Sequence, residues 1–325
     1  MYFQVTKFSC GGVIIGSTFD HRIADAFSIN MFLISWAQLT KKESIEILRP
    51  SFDRSMLYAR QPPYYCSSID RMYTPLFPMH LEKPAKPNNQ DPSPSLVSRI
   101  YYLKAKDVHA LQSSANGYGK QYSKLEAFSA YLWKLLILSN DINNDMNCSI
   151  GVVIDGRTRL KNMGMPFNYF GNVLVLPFAK ARAEDIKKQP LSWSAGQIHD
   201  VIQSAANEEH FQSLIDWVEL IRPHHGLATI YCKQDIALSD GPNVLVSSGL
   251  HFSLPNFDFG WGKPYFGSYH FPWGGEAGYV MPLPSCVGDG SWVVYMHLPL
   301  NQLKAIESHV ECRFHRITSN FLEMY

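Results

Sequence analysis

The chain has no uninterrupted apolar run approaching the ~18 residues that a bilayer-spanning helix needs, so no segment reads as a membrane span. Its opening, Met1-Tyr2-Phe3-Gln4-Val5-Thr6-Lys7, lacks the apolar stretch of an export signal. Net charge is almost absent as well. The 29 basic and 28 acidic residues leave +1, too small a field to favour nucleic acid or an anionic membrane. Cysteines are few and scattered, at 10, 66, 148, 232, 286 and 312, with no C-x-x-C pair. Reduced thiols in a cytoplasmic protein are the simplest reading. The adjacent His224 and His225 point to different sides and have no carboxylate or cysteine to complete a set, so no metal site is expected. No internal repeat is visible. What remains is ordinary globular material: 325 residues, 46% hydrophobic and 13% aromatic, enough for two domains with substantial cores.

Taken in order, residues 2–10 and 13–19 run apolar or alternate around Gly11-Gly12, which predicts a hairpin. Phe27, Met31, Ile34 and Ala37 recur at helical spacing, so a helix over 24–39 follows. Residues 83–95 are polar and proline-rich and read as a linker between a domain over 1–82 and another over 96–325. Strands are expected at 96–103, 148–155, 171–178, 244–248, 279–282 and 292–298. Ser123-Lys124-Leu125-Glu126 is a capping box opening a helix to residue 138. One or two surface helices fit 191–222, and a closing helix fits 301–321. Strands interleaved with helices predict an α/β layered fold.

The stretch that carries chemistry is Phe19-Asp20-His21-Arg22-Ile23-Ala24-Asp25, where a strand gives way to a helix. His21 and Asp25 form an H-x-x-x-D pair. By itself the pair also fits a hydrogen-bonded histidine at a strand end and a carboxylate favoured in the first turn of a helix. Two distant segments bear on it. One is Asp155-Gly156-Arg157-Thr158-Arg159-Leu160 with Tyr169-Phe170-Gly171-Asn172; the other is Asp258-Phe259-Gly260-Trp261-Gly262-Lys263-Pro264.

In this order the three segments resemble the plant BAHD acyl-coenzyme A-dependent acyltransferases, which carry HxxxD early, YFGN midway and DFGWG late. DFGWG is the specific motif and is intact. The Gly-Arg-Thr-Arg-Leu segment leans towards hydroxycinnamoyl-transferring members. Dihydrolipoyl acyltransferase cores carry a similar Asp-His-Arg motif, but near the chain end; here about three hundred residues follow it, which favours BAHD. The resemblance implies a two-domain, mixed-sheet fold of chloramphenicol-acetyltransferase-like halves. It also implies a cytoplasmic monomer of plant specialised metabolism with acyl-coenzyme A as donor, a small hydroxyl or amine acceptor and no permanently bound cofactor.

The same resemblance implies roles. His21 is the general base, and an imidazole with a pKa of about 6.5 suits that task near neutrality. No serine or cysteine nucleophile is placed beside it by a motif, so direct attack in a ternary complex is expected. Asp25 turns away from substrate and pairs with an arginine, Arg157 first and Arg159 as the fallback. Asp258, Phe259, Gly260, Trp261 and Gly262 are structural, with glycines turning around a large apolar anchor. Tyr169, Phe170, Gly171 and Asn172 are candidate channel lining. No residue is assigned as the oxyanion donor. The rival reading is a non-catalytic member of the family.

Three departures from the family pattern carry expectations. Ala26 stands where a glycine is usual, tolerable if the backbone there is helical. Ser248-Gly249 replaces a Ser/Thr-Trp pair, and loss of the indole is expected to widen or weaken a wall of the acceptor pocket. Only twenty residues precede His21. Members carry a long segment there, so the first domain is expected to be incomplete, with apolar surface in residues 1–80 uncovered.

Overall fold

The computed structural model describes residues 1–41, 49–76, 96–117, 119–222, 227–230, 241–252, 254–271 and 277–318. The linker expected at 83–95, His224-His225 and Cys232 lie outside them. The chain opens with an antiparallel hairpin, β1 (Tyr2–Lys7) and β2 (Val13–Thr18), turned by Gly11 at φ +90°. Tyr2, Val5 and Ile14 are each more than half exposed. Helix α1 (Ala26–Thr40) follows, and β3 (Tyr73–Leu76) closes the first part. Asp25 is the N-cap of α1 rather than part of its first turn, because its side chain takes the Ser28 amide. Ala26 is the first helical residue, where an alanine fits without strain.

Then come β4 (Leu96–Leu103), α2 (Ala105–Ala115) and α3 (Lys124–Ser139). The capping box of α3 is complete: Ser123 Oγ accepts from the Glu126 amide at 3.2 Å, and Glu126 accepts from the Ser123 amide at 2.6 Å. Next are β5 (Asn147–Val152), β6 (Ile154–Asp155), β7 (Leu174–Val175) and β8 (Phe178–Arg182). Helices α4 (Ala183–Lys188), α5 (Leu191–Ala205) and α6 (Glu208–Ile221) follow. The chain finishes through β9 (Leu227–Ile230), β10 (Asn243–Val246), β11 (Gly278–Pro284), β12 (Trp292–Pro299), α7 (Leu300–Ser308) and β13 (His315–Arg316).

Seven strands make one mixed sheet in the order β13-β4-β12-β11-β10-β5-β8. Strand β10 runs parallel to both β5 and β11, and the other pairings are antiparallel. Period-two alternation splits its faces. Val280, Val294, Met296 and Leu298 point into the main core with Phe128, Leu132, Trp133 and Ile198 from the helices. Leu245, Tyr279, Met281, Leu283 and Tyr295 point the other way, and Ala26, Phe27, Tyr269 and Phe271 pack on that second face. The motif segment therefore lies against the face of the sheet opposite α2, α3 and α5.

Several elements differ from the sequence expectation. The strand over 148–155 and that over 171–178 each break in two. Pro177 has no N–H for a ladder, and the Val153 amide leaves the pair to donate to Val246 O at 2.9 Å. Both strands change sheet there, so β5 and β8 stay in the large sheet while β6 and β7 continue as a separate ribbon. The closing helix ends at Ser308 rather than residue 321. Phe314 is drawn into the main core against Tyr101, Phe128 and Tyr131, and β13 pairs with β4. Helices α5 and α6 are less superficial than expected, since Ser194, Ile198 and Trp217 are buried. Segments on the two sides of residues 83–95 also pair directly, β3 with β9.

Candidate active site

His21 lies in the turn between β2 and α1, half-buried, with its ring between Phe19 and Phe271 at centroid distances of 6.0 and 5.4 Å. No described residue hydrogen-bonds its imidazole. Its backbone is held: Asn172 Nδ2 donates to His21 O at 2.7 Å. Phe271 in turn meets Tyr279 edge-on at 5.0 Å, which carries the aromatic wall onto the second face of the sheet. Burial pushes the Tyr279 hydroxyl up to about 12 and raises that of Tyr269 as well, so both stay protonated at neutral pH.

Asp25 is 1% exposed and its carboxylate is fully engaged. Oδ1 accepts from the Ser28 amide at 3.0 Å, the Ser28 hydroxyl at 2.9 Å and Arg157 Nη2 at 3.0 Å. Oδ2 accepts from Arg157 Nη1 at 2.8 Å and the Val173 amide at 3.3 Å. A carboxylate offers about four lone-pair sites, so the four N–H donors alone leave nothing for a substrate. The side chains of Arg157 and Asp25 are 1% and 2% exposed, which makes this a buried, two-pronged ion pair. Arg157 also reaches Asp155 Oδ1 at 3.1 Å, Tyr169 O at 3.2 Å and Gly171 O at 2.9 Å, and its guanidinium lies 4.5 Å from the Phe27 ring. Arg159 is exposed and takes no part.

The β6–β7 ribbon explains how these groups meet. It extends through Gly156 N–H to Val173 O at 2.8 Å, which delivers Arg157 from one arm and residues 169–172 from the other. Gly171 is required there, because a Cβ would stand 2.8 Å from the Tyr169 ring. The four residues expected as channel lining divide. Tyr169 is wholly buried in a minor core, its hydroxyl accepting from Arg54 at 2.7 Å, and so lines nothing. Phe170 packs on Phe52 at 5.6 Å. Gly171 and Asn172 face the motif turn.

The Asp258 to Gly262 turn sits at the other end of α1. Asp258 Oδ1 accepts from the Gly260 and Gly262 amides at 2.8 and 3.1 Å, and both glycines have positive φ. Lys41 Nζ lies 3.3 Å from Asp258 Oδ2, and Phe259 meets Trp36 of α1 edge-on at 4.9 Å. Trp261, expected as the apolar anchor, is 67% exposed; Phe259 does the anchoring because it is the ring that faces the helix. Helix α1 thus ties both motifs together, one at each end.

The expected gap at Gly249 is filled. A Cβ there would stand 2.9 Å from Leu283 and Met281 and 3.1 Å from Phe252, so neighbours occupy the space that an indole would need. A cavity of about 330 Å³ lined by Lys104, Lys106, Arg313 and His315, among others, contains no motif residue. Ser28 was missed in the sequence; the available signal was its place three residues after an N-cap aspartate. Phe271 carried no signal at all.

Comparison with known proteins agrees with the motifs. A sequence model of the Transferase family matches residues 1–313. The chain is 28% identical over 323 residues to rosmarinate synthase of Plectranthus scutellarioides, covering 94% of this chain and 68% of that protein. It is 29% identical over 322 residues to shikimate O-hydroxycinnamoyltransferase of Nicotiana tabacum, with the same coverage. Among solved structures, TRI101 of F. graminearum, crystallised with coenzyme A and T-2 mycotoxin, superposes with a TM-score of 0.74 at 15% identity over 95% of this chain and 68% of that one. With the family matched across nearly its whole length and the fold matched independently, the chain belongs to the Transferase family, the BAHD acyltransferases that its motifs resemble.

Proposed function

We propose that the protein transfers an aromatic acyl group of the hydroxycinnamoyl class from its coenzyme A thioester to a hydroxyl or amine acceptor, with His21 as general base. The observation that carries this is the division of labour within the motif. Asp25 has every acceptor site taken by Ser28, Arg157 and Val173, whereas the His21 ring is bonded to no described residue. One group is a strut and the other is free to take a proton.

In the reaction so read, His21 removes the acceptor proton as the oxygen or nitrogen attacks the thioester carbonyl. The tetrahedral intermediate collapses with departure of the coenzyme A thiolate, which takes the proton back from the imidazolium. Aromatic rings at Phe19, Phe271 and Tyr279 suit a flat acyl group or acceptor beside the base. The names of the relatives, transferring hydroxycinnamoyl and related aromatic groups, support the donor class.

The test is release of free coenzyme A thiol when purified protein is given several acyl-coenzyme A donors with phenolic, alcohol and amine acceptors. Acceptor-dependent release is expected, falling by about 10²- to 10⁴-fold in His21→Ala. Release unchanged in His21→Ala would remove the histidine from the mechanism. Well-folded protein with no release from any pair would favour a non-catalytic member.

A further inference from the structure

Beside the site lies Ser28, on the first turn of α1 and wholly buried. Its hydroxyl touches four polar groups from three segments. Gly171 N lies at 3.1 Å, Gly171 O at 3.0 Å, Arg157 Nη2 at 3.0 Å and Asp25 Oδ1 at 2.9 Å. A hydroxyl has one proton and two lone pairs. The Gly171 amide and the Arg157 N–H are donors only, so they take the lone pairs. The single proton goes to Asp25 or to Gly171 O. Among the described residues this hydroxyl is the acceptor of the Gly171 amide.

Gly171 is followed by Asn172, whose amide holds the backbone carbonyl of His21 at 2.7 Å. A connected path thus runs from Ser28 through Gly171 and Asn172 to the base. It approaches His21 from outside the motif, independently of the chain joining His21 to Asp25. Both backbone groups of Gly171 lie against one oxygen, which fixes the peptide on which Asn172 is mounted. The side-chain oxygen of Asn172, Oδ1, is buried with no partner among the described residues, so the side chain is kept in place by the bond from its Nδ2 to His21 O.

We propose that Ser28 is a positioning residue for acyl transfer: its hydroxyl locks the Gly171 peptide, and Asn172 carries that lock to the His21 backbone. The proposal rests on His21 being the general base. It makes Ser28 more than a helix-cap residue, because the cap is completed by the Ser28 amide, which any residue supplies, whereas the lock needs the hydroxyl.

The isosteric pair Ser28→Thr and Ser28→Val isolates that hydroxyl, since both add the same bulk at one buried position. Steady-state kinetics with a fixed donor and acceptor are read beside melting curves. Ser28→Thr is expected to keep kcat within a few-fold of Ser28, while Ser28→Val loses up to about 100-fold in kcat, the scale of a misplaced catalytic group. KM for the acyl-coenzyme A should stay within a few-fold in both. A merely structural role would lower the melting temperature, of Ser28→Val the more, and leave kcat of the folded fraction intact in both. Should neither variant fold, Asn172→Ala decides, because it cuts the last link while keeping Ser28 and Gly171. It is expected to lower kcat similarly and to move the acidic limb of the pH–rate profile.

His21→Ala is run in parallel. Folded Ser28→Val with the kcat of Ser28→Thr, or Asn172→Ala with wild-type kcat and pH profile, overturns the proposal, whereas undiminished activity in His21→Ala overturns the reading beneath it.

Discussion

Replacing Asp25 by asparagine separates a strut from a catalytic acid, because the two roles predict opposite balances of stability and turnover. The asparagine oxygen can still cap the Ser28 amide. Its NH₂ would then face Arg157 Nη1 and the Val173 amide, now 2.8 and 3.3 Å from Oδ2, setting donors against donors. The larger loss is the charge. Arg157, 1% exposed at its side chain, would keep Asp155 as its one charge partner among the described residues, 39% exposed and 3.1 Å away. Breaking one side of a buried pair costs about 3–5 kcal/mol, and the residual Asp155 contact puts this case near 3. For 325 residues unfolding as one unit, the entropy of unfolding is about 0.7 kcal/mol per kelvin, so the melting temperature should fall by about 4 °C. Thiol release measured well below that temperature should persist at a reduced rate, because His21 is present but its turn is loosened. Asp25→Leu combined with Arg157→Met, which removes both charges, should recover part of the lost stability. An Asp25→Asn protein that melts within about 1 °C of wild type and yet has no turnover would refute the strut and return the carboxylate to the chemistry.

Three further outcomes follow from the same geometry. Gly249→Trp should destabilise the protein by about 1–3 kcal/mol in urea titration, with no gain of an acceptor wall, because Leu283, Met281 and Phe252 already fill the space. Burial pushes the hydroxyls of Tyr73 and Tyr279 up to about 12 from the usual 10.0. Their raised values mean that this stabilisation is whole below pH 10 and lost as pH rises towards 12, so alkaline unfolding followed at 295 nm should be less steep in Tyr279→Phe. The Asp258 carboxyl is held below its ordinary value first by the Gly260 amide, with the Gly262 amide and Lys41 adding to it. That contribution is present above pH 3.8 and disappears as pH falls through the lowered value. Acid melting below pH 4 should therefore lower the stability of wild type more than that of Asp258→Asn.

Local pattern was enough to read much of the architecture. The hairpin needed only Gly11-Gly12 between two apolar runs, the long core helix needed only its Ser123–Glu126 box, and β4 and β12 showed in their composition. All of these are interactions among residues near in sequence. The motifs, too, were legible as words in order, and they led to the family that the comparisons show.

What the local pattern could not supply was every decision made across a distance. The closing helix stopped at Ser308 because the main core claimed Phe314, and 171–178 broke because Pro177 has no amide for the ladder of a sheet it also had to leave. Trp261 looked like the anchor of its turn until α1 presented Trp36 to Phe259 instead. Ser28 and Gly171 are 143 residues apart, and a serine on an apolar helix gives no sign of a partner that far away. By itself the sequence singled out the candidates for the chemistry, since an imidazole and a carboxylate four residues apart keep their character in any fold. Only the tertiary structure decided what surrounds the carboxylate, because the number of donors brought to it depends on Arg157 and Val173, which arrive from the far side of the chain.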